Sequence, residues 1–213
     1  MHRQNRLRQH ITQICRSIAL TDIKEKIYSK EQQEVRIMKL KFENIDGYRE
    51  QVKKLFVTAF PREERPPMWM LTRRCRQGLA EFRAVVHEDR FVGLIYVIGD
   101  ERIKTLMFLA IAEDARGGGY GSEILKRVRE NYPGVKLFLN IEPLDRNAPN
   151  YEQRCRRKKF YERNGLTCLD YQVREAGVTY EMMTYGEYVS RDEYEETMQV
   201  MYGRRLYKLI KRM

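Results

Sequence analysis

The sequence predicts an α+β fold, in which helices flank a mixed and mostly antiparallel central sheet. Three observations predict it. Three strand-like runs over 80–111 follow one another with only short turns between them, the signature of an antiparallel meander. A glycine cluster, Gly117, Gly118, Gly119 and Gly121, then separates the third run from a helical pattern. After that helix a strand over 135–141 gives a single parallel crossing, and a later hairpin restores antiparallel pairing.

The elements follow in order from Met38. Residues 39–45 alternate as a strand. Tyr48, Val52, Leu55, Phe56 and Phe60 recur at helical spacing, so a helix starts near Asp46, and Pro61 ends it. Residues 61–66 are irregular, and a second helix over 67–76 stops at Gly78. The 61–78 segment is a candidate substrate loop, or simply a connection from helix to sheet. Strands 80–87 and 91–98 flank a tight turn at Glu88-Asp89-Arg90, and 103–111 is the third strand. Ile124, Leu125, Val128 and Tyr132 line one face of the helix after the glycines, which Pro133-Gly134 breaks. Residues 143–150 are turn-rich, and 151–164 is a very basic helix with Gly165 at its end. Strands 167–174 and 178–185 form a hairpin, and Ser190 caps a helix that runs to about Tyr202. The basic tail after it packs on the domain, on a second subunit, or nowhere. The expected organisation is an extension over 1–37, a core domain over 38–186 and a helical tail over 187–213.

At 213 residues and a formal net charge of +11, the chain is long enough for a real core and suited to an anionic partner. Cys15, Cys75, Cys155 and Cys168 are far apart, and read as reduced thiols in a cytoplasmic protein. With His2, His10 and His87 they form no ligand spacing, so no metal is expected. No apolar run reaches membrane-spanning length, so no membrane partner is expected. Residues 1–37 carry basic residues without an acid before Asp22. They read as a presequence, a membrane-surface helix, or the product of a mis-assigned upstream start. Gln33-Glu34-Val35-Arg36 can be encoded by a purine-rich ribosome-binding sequence just before Met38, which favours the last.

Glycines at a helix start let backbone N–H groups approach a ligand, and those groups have no partner within the helix. The loop Arg116, Gly117, Gly118, Gly119, Tyr120, Gly121 and Ser122 therefore reads as a pyrophosphate cradle. A Walker P-loop needs Lys and Ser/Thr after its last glycine, whereas Ser122-Glu123 follows here. A Rossmann site needs alternating βαβ units rather than a meander.

LAIAEDARGGGYGSEIL resembles the acetyl-CoA motif of the GNAT superfamily of N-acetyltransferases, with Leu109, Ile111, Arg116, Gly119 and Gly121 in its positions. Phe160-Tyr161-Glu162-Arg163-Asn164-Gly165-Leu166 is similar to the family's second signature, and the resemblance covers about 38–186. It implies a sheet whose fourth and fifth strands splay apart around the pantetheine arm of acetyl-CoA, here 106–111 and 137–141. It implies that Leu109, Ala110 and Ile111 meet the pantetheine and thioester, and that 116–122 hold the pyrophosphate. It implies Tyr161 as general acid, with a packing aromatic as the plain alternative.

For the general base, Glu142 at the end of the fifth strand is placed to face the acceptor, and Glu63 and Glu64 are alternatives. The family often places Asn and Ala where this chain has Arg154 and Arg157, so Asn147 or Asn150 would have to supply the Asn contact. Arg154 and Arg157 themselves would meet CoA phosphate or form a solvated face. The resemblance implies direct transfer of an acetyl group to a primary amine on a small molecule or peptide, by a monomer or homodimer. The alternative is a non-catalytic CoA-binding sensor or partner-binding module. A nucleic-acid partner ranks last, since no stacking platform accompanies the basic run at 154–159.

Overall fold

The structure, a computed structural model, describes residues 39–211. The expectations for 1–37 lie outside the described residues. Seven strands form one sheet: β1 (Leu40–Asn44), β2 (Ala80–His87), β3 (Arg90–Gly99), β4 (Ile103–Ile111), β5 (Lys136–Ile141), β6 (Thr167–Glu175) and β7 (Val178–Thr184), in the order β1-β2-β3-β4-β5-β7-β6. All neighbouring pairs are antiparallel except β4 and β5. The helices are α1 (Arg49–Ala59), α2 (Met68–Arg76), α3 (Tyr120–Asn131), α4 (Tyr151–Arg163), α5 (Arg191–Tyr202) and α6 (Arg204–Ile210).

Next to the middle strand β4 lies β3, buried from Val92 to Gly99. A strand covered on both faces has no polar side to show, which is why this one reads as a continuous apolar run. On one face α1, α2 and Met201 of α5 pack over β2–β4 through Val52, Leu55, Phe56, Leu71, Phe82, Tyr96 and Phe108. The same face of β5–β7 is covered by Tyr194, Met198 and Tyr207, which pack with Phe138, Tyr171 and Met182. On the other side α3 buries Ile124, Leu125 and Val128.

Both hairpins close with two-residue turns in the left-handed region, Glu88-Asp89 (φ 49° and 62°) and Ala176-Gly177 (47° and 80°). Such turns match the twist of the strands they join. The first turn is therefore one residue shorter than expected, and Arg90 pairs with His87. The first helix also starts later: Ile45–Tyr48 is a 3-10 turn capped by Asn44, whose side chain accepts from the Asp46 amide at 3.0 Å, and α-geometry begins at Arg49.

The tail joins the domain rather than extending from it. Tyr207 is buried, and the Ala176 amide donates to the Ile210 carbonyl at 3.2 Å. The elements β1 to α6 belong to one compact unit. Ser190 caps α5 in a capping box with Glu193, which also binds Lys136 Nζ at 2.7 Å. That bond, with the Ser190 amide, holds the Glu193 carboxyl below its ordinary range. Among the described residues no helix is long and apolar enough to cross a membrane.

Candidate active site

The site begins where two parallel strands separate. The pairing of β4 with β5 runs through Ile103↔Lys136, Lys104↔Leu137 and Thr105↔Phe138, and stops there. Beyond it β4 stays paired with β3 as far as Ile111, and β5 pairs with β7 from Phe138 to Ile141. A wedge opens between 106–111 and 139–141. The direction of the β4 amides follows from one anchor: the Ala112 amide donates to the Val92 carbonyl at 2.9 Å. Alternation along a strand then aims the Ala110 amide at β3 and the Leu109 and Ile111 amides into the wedge.

The glycine loop continues that row of donors. The Arg116 amide donates to Glu113 O, and the Glu123 amide makes the first helical bond to Gly119 O. Among the described residues none of the amides from Gly117 to Ser122 meets an acceptor. Those at the start of α3 are orphans that any helix leaves, and an anion satisfies them. Gly117 and Gly119 lie in the left-handed region, at φ 79° and 80°. Gly121 has another reason to lack a side chain: a Cβ there would stand 2.9 Å from Phe160 Cζ. Gly121 is thus where α4 touches the first turn of α3, through Phe160.

The β2–β3 hairpin grips the loop from outside. His87 Nδ1 lies 3.0 Å from the Tyr120 hydroxyl, and Arg90 Nη2 donates to Asp114 Oδ2 at 2.7 Å and to its carbonyl at 3.1 Å. An alanine at position 119 would hold the left-handed conformation at a cost of about 1 kcal/mol, so the loop relaxes away from it. For Gly119→Ala the expected result is a rise of roughly tenfold in the dissociation constant of an anion bound at the loop, such as pyrophosphate, with a shift in melting temperature of a few degrees, read by calorimetry and thermal unfolding.

The helix α4 has no buried residue, so its attachment is polar. Lys158 Nζ bonds Glu181 Oε2 at 2.7 Å. Arg154 is fully engaged: Nη2 donates to Glu142 Oε1 at 2.7 Å, Nη1 to the Pro143 carbonyl and Nε to Asn150 Oδ1. Glu142 Oε2 accepts from Arg157 Nη1 at 3.2 Å and from Asn150 Nδ2 at 3.3 Å. The candidate base Glu142 therefore serves as the anchor of α4, with both oxygens occupied. Neither arginine is a merely solvated face, and Asn150 is part of the same clamp.

Glu64, in the 3-10 turn Arg62–Glu64, is different. Its carboxylate makes no hydrogen bond or ion pair among the described residues, and its pKa is raised, first by burial and then by the charge of Glu142. Tyr180 of β7 lies within reach of both carboxylates, and its phenol is raised by burial and then by Glu64. Nothing in the chain marks Tyr180, which alternates with other β7 residues as an ordinary strand position. Glu63 is exposed.

Tyr161 lies one turn after Arg157 on the same face of α4. Its ring packs against Phe160, with centroids 5.1 Å apart. Burial pushes the phenol up to about 12, with Arg157 pulling the other way. Its hydroxyl has no hydrogen-bond partner among the described residues. Tyr161 therefore remains protonated across the working pH range of ordinary proteins.

No family model and no curated protein matches the chain. Solved structures do match. A protein assigned to the GNAT acetyltransferase family from Bacteroides thetaiotaomicron superposes with a TM-score of 0.64 at 22% identity, over 78% of this chain and 98% of that one. The aminoglycoside 6'-N-acetyltransferase from Enterococcus faecium gives 0.53 at 15% identity, over 72% and 100%. Arabidopsis thaliana Naa50, in complex with the bisubstrate analogue CoA-Ac-MVNAL, gives 0.51 at 17% identity, over 68% and 97%. The chain has the GNAT acetyltransferase fold.

Proposed function

We propose that the chain is an acyl-CoA-dependent N-acyltransferase that moves an acetyl group from acetyl-CoA to a primary amine by direct transfer. The observation that carries this reading is the wedge: β4 and β5 part after Thr105↔Phe138, and the amides of Leu109 and Ile111 point into the gap. That row of donors runs on into six partnerless amides at 117–122. An extended chain ending in a pyrophosphate fits such a surface, its arm bonded to a strand edge and its phosphates to a helix start. Exposed Arg116 adds positive charge there.

Each residue then has a defined task. The amides of Leu109 and Ile111 hold the thioester carbonyl and stabilise the oxyanion that develops on it. Glu64, ionised, takes the proton from the acceptor ammonium, so that the amine attacks as the C–N bond forms. Tyr161 gives its proton to the departing sulfur as the C–S bond breaks. Glu142 is too tightly held to serve as the base. It fixes Arg154 and Arg157, and through them α4 and Tyr161. The amine acceptors in the names of two structural neighbours, an aminoglycoside and a peptide, agree with a primary amine.

The test is thiol release from acetyl-CoA against a panel of primary amines, with CoA binding measured separately by calorimetry. Turnover with one amine class supports the reading. CoA binding without turnover on any amine favours a sensor, and failure to bind CoA refutes the wedge assignment. Glu64→Gln is expected to lower kcat/KM at neutral pH by about 10- to 100-fold and to remove the acidic limb of its pH profile. Because its carboxyl is raised, activity in the wild type rises with pH as Glu64 ionises, and the glutamine variant lacks that rise. An unchanged profile would exclude Glu64 as the base.

A further inference from the structure

We infer that the acceptor carries a carboxylate beside its amine, as a free amino acid does, and that Arg157 binds that carboxylate. The inference rests on the acyltransfer reading above. Arg154 and Arg157 bond Glu142 just past the end of β5, and all three, with exposed Glu63, act on the charge of Glu64. Arg154 has a protein partner for each of its three nitrogens and only 17% of its side chain is exposed. Arg157 uses Nη1 alone, on Glu142, and 36% of its side chain is exposed. Its Nε and Nη2 meet no acceptor among the described residues. These two nitrogens form the fork that pairs with a carboxylate through two parallel bonds.

Arg157 also lies one turn before Tyr161 on the same helix. Its charge acts on Glu64 and on Tyr161 alike. A carboxylate on Arg157 therefore places an adjacent amine near both. Charge balance selects the same ligand. Among the partly buried groups Glu64 and Glu142 match Arg154 and Arg157, while Glu63 is exposed to water, so a zwitterion enters without leaving a buried charge unmatched. A polyamine would need a second carboxylate with no partner, yet Glu142 is already neutralised. A phosphate dianion would need a second open cation, yet Arg154 is used up.

The experiment compares free amino acids with their amides and with simple primary amines as acceptors, for the wild type, Arg157→Met and Arg157→Lys. In the wild type, free acids are expected to show a kcat/KM at least tenfold above their amides. Arg157→Met should cut the preference for the acids over their amides by about tenfold or more, through KM for the acids, and leave the CoA dissociation constant unchanged. Arg157→Lys should restore part of the loss. Glu142 keeps its 2.7 Å bond to Arg154 in both variants, so α4 stays anchored, and thermal unfolding checks this.

Equal use of acids and amides by the wild type overturns the inference while leaving the acyltransferase reading intact. A rise in KM for acetyl-CoA on Arg157→Met also overturns it, and assigns the arginine to the donor. If CoA binds but no amine turns over, calorimetry of amino acids against the CoA-bound protein decides. Binding lost in Arg157→Met supports the carboxylate site, and no binding overturns it. Failure to bind CoA removes the acyltransferase reading and this inference with it.

Discussion

Tyr161→Phe is expected to lower kcat by about 10²- to 10³-fold while leaving CoA affinity and thermal stability close to those of the wild type. The substitution removes one oxygen and nothing else. The ring stays on Phe160, at the same contact that sets α4 against Gly121. The hydroxyl has no bond within the protein to lose, so folding has little stake in it. What is lost is a proton held in place: burial pushes the phenol up to about 12, and a group that is always protonated can act as an acid but not as a base. The effect should therefore appear in kcat at saturating acetyl-CoA and not in KM for the donor. The variant should also be rescued by donors whose thiolate leaves without protonation. Unchanged kcat would make Tyr161 a packing aromatic, and the sulfur would take its proton from water.

The parts of this molecule that local chemistry dictates were legible in the chain. Alternation and tight turns announced the meander, and the glycine cluster announced a helix start with open amides. The wedge was implied only by resemblance, because the separation of β4 from β5 is a matter of register. Nothing in Leu106 or Leu139 states that its neighbour will be absent. The role of Glu142 was not legible for a related reason. A carboxylate at a strand end looks available until α4, 12 and 15 residues away, delivers two guanidiniums to it. The same delivery explains how a helix with no buried residue is held at all. Glu64 could be named among candidates but not chosen, since its distinction is burial within the field of Glu142, which lies far from it in sequence. The tail was left with three fates. Tyr207 decides among them by filling a place in the core beside Tyr194 and Met198.

That packing has a consequence for stability. Glu175, the last residue of β6, is enclosed by tyrosines from three elements: Tyr194 and Tyr202 of α5, Tyr207 of α6 and Tyr180 of β7. Its Oε1 is buried without a donor. Burial raises the carboxyl to about 7, and the phenols of Tyr194 and Tyr207 offset only part of that. The folded protein thus holds a proton on Glu175 between about pH 4.5 and 7 that the unfolded chain has already released. Where the folded state binds more protons, stability falls as pH rises. The contribution of Glu175 is therefore complete below its unfolded value and is lost progressively up to about pH 7, by about 3 kcal/mol at most. Glu175→Gln keeps the shape and cannot ionise. It is expected to be more stable than the wild type by about 1–3 kcal/mol at pH 8, and within about 0.5 kcal/mol of it at pH 4. Urea unfolding at the two pH values measures the difference directly. An equal shift at both would mean that Glu175 is ionised throughout, with the tyrosines supplying the bonds that burial withholds.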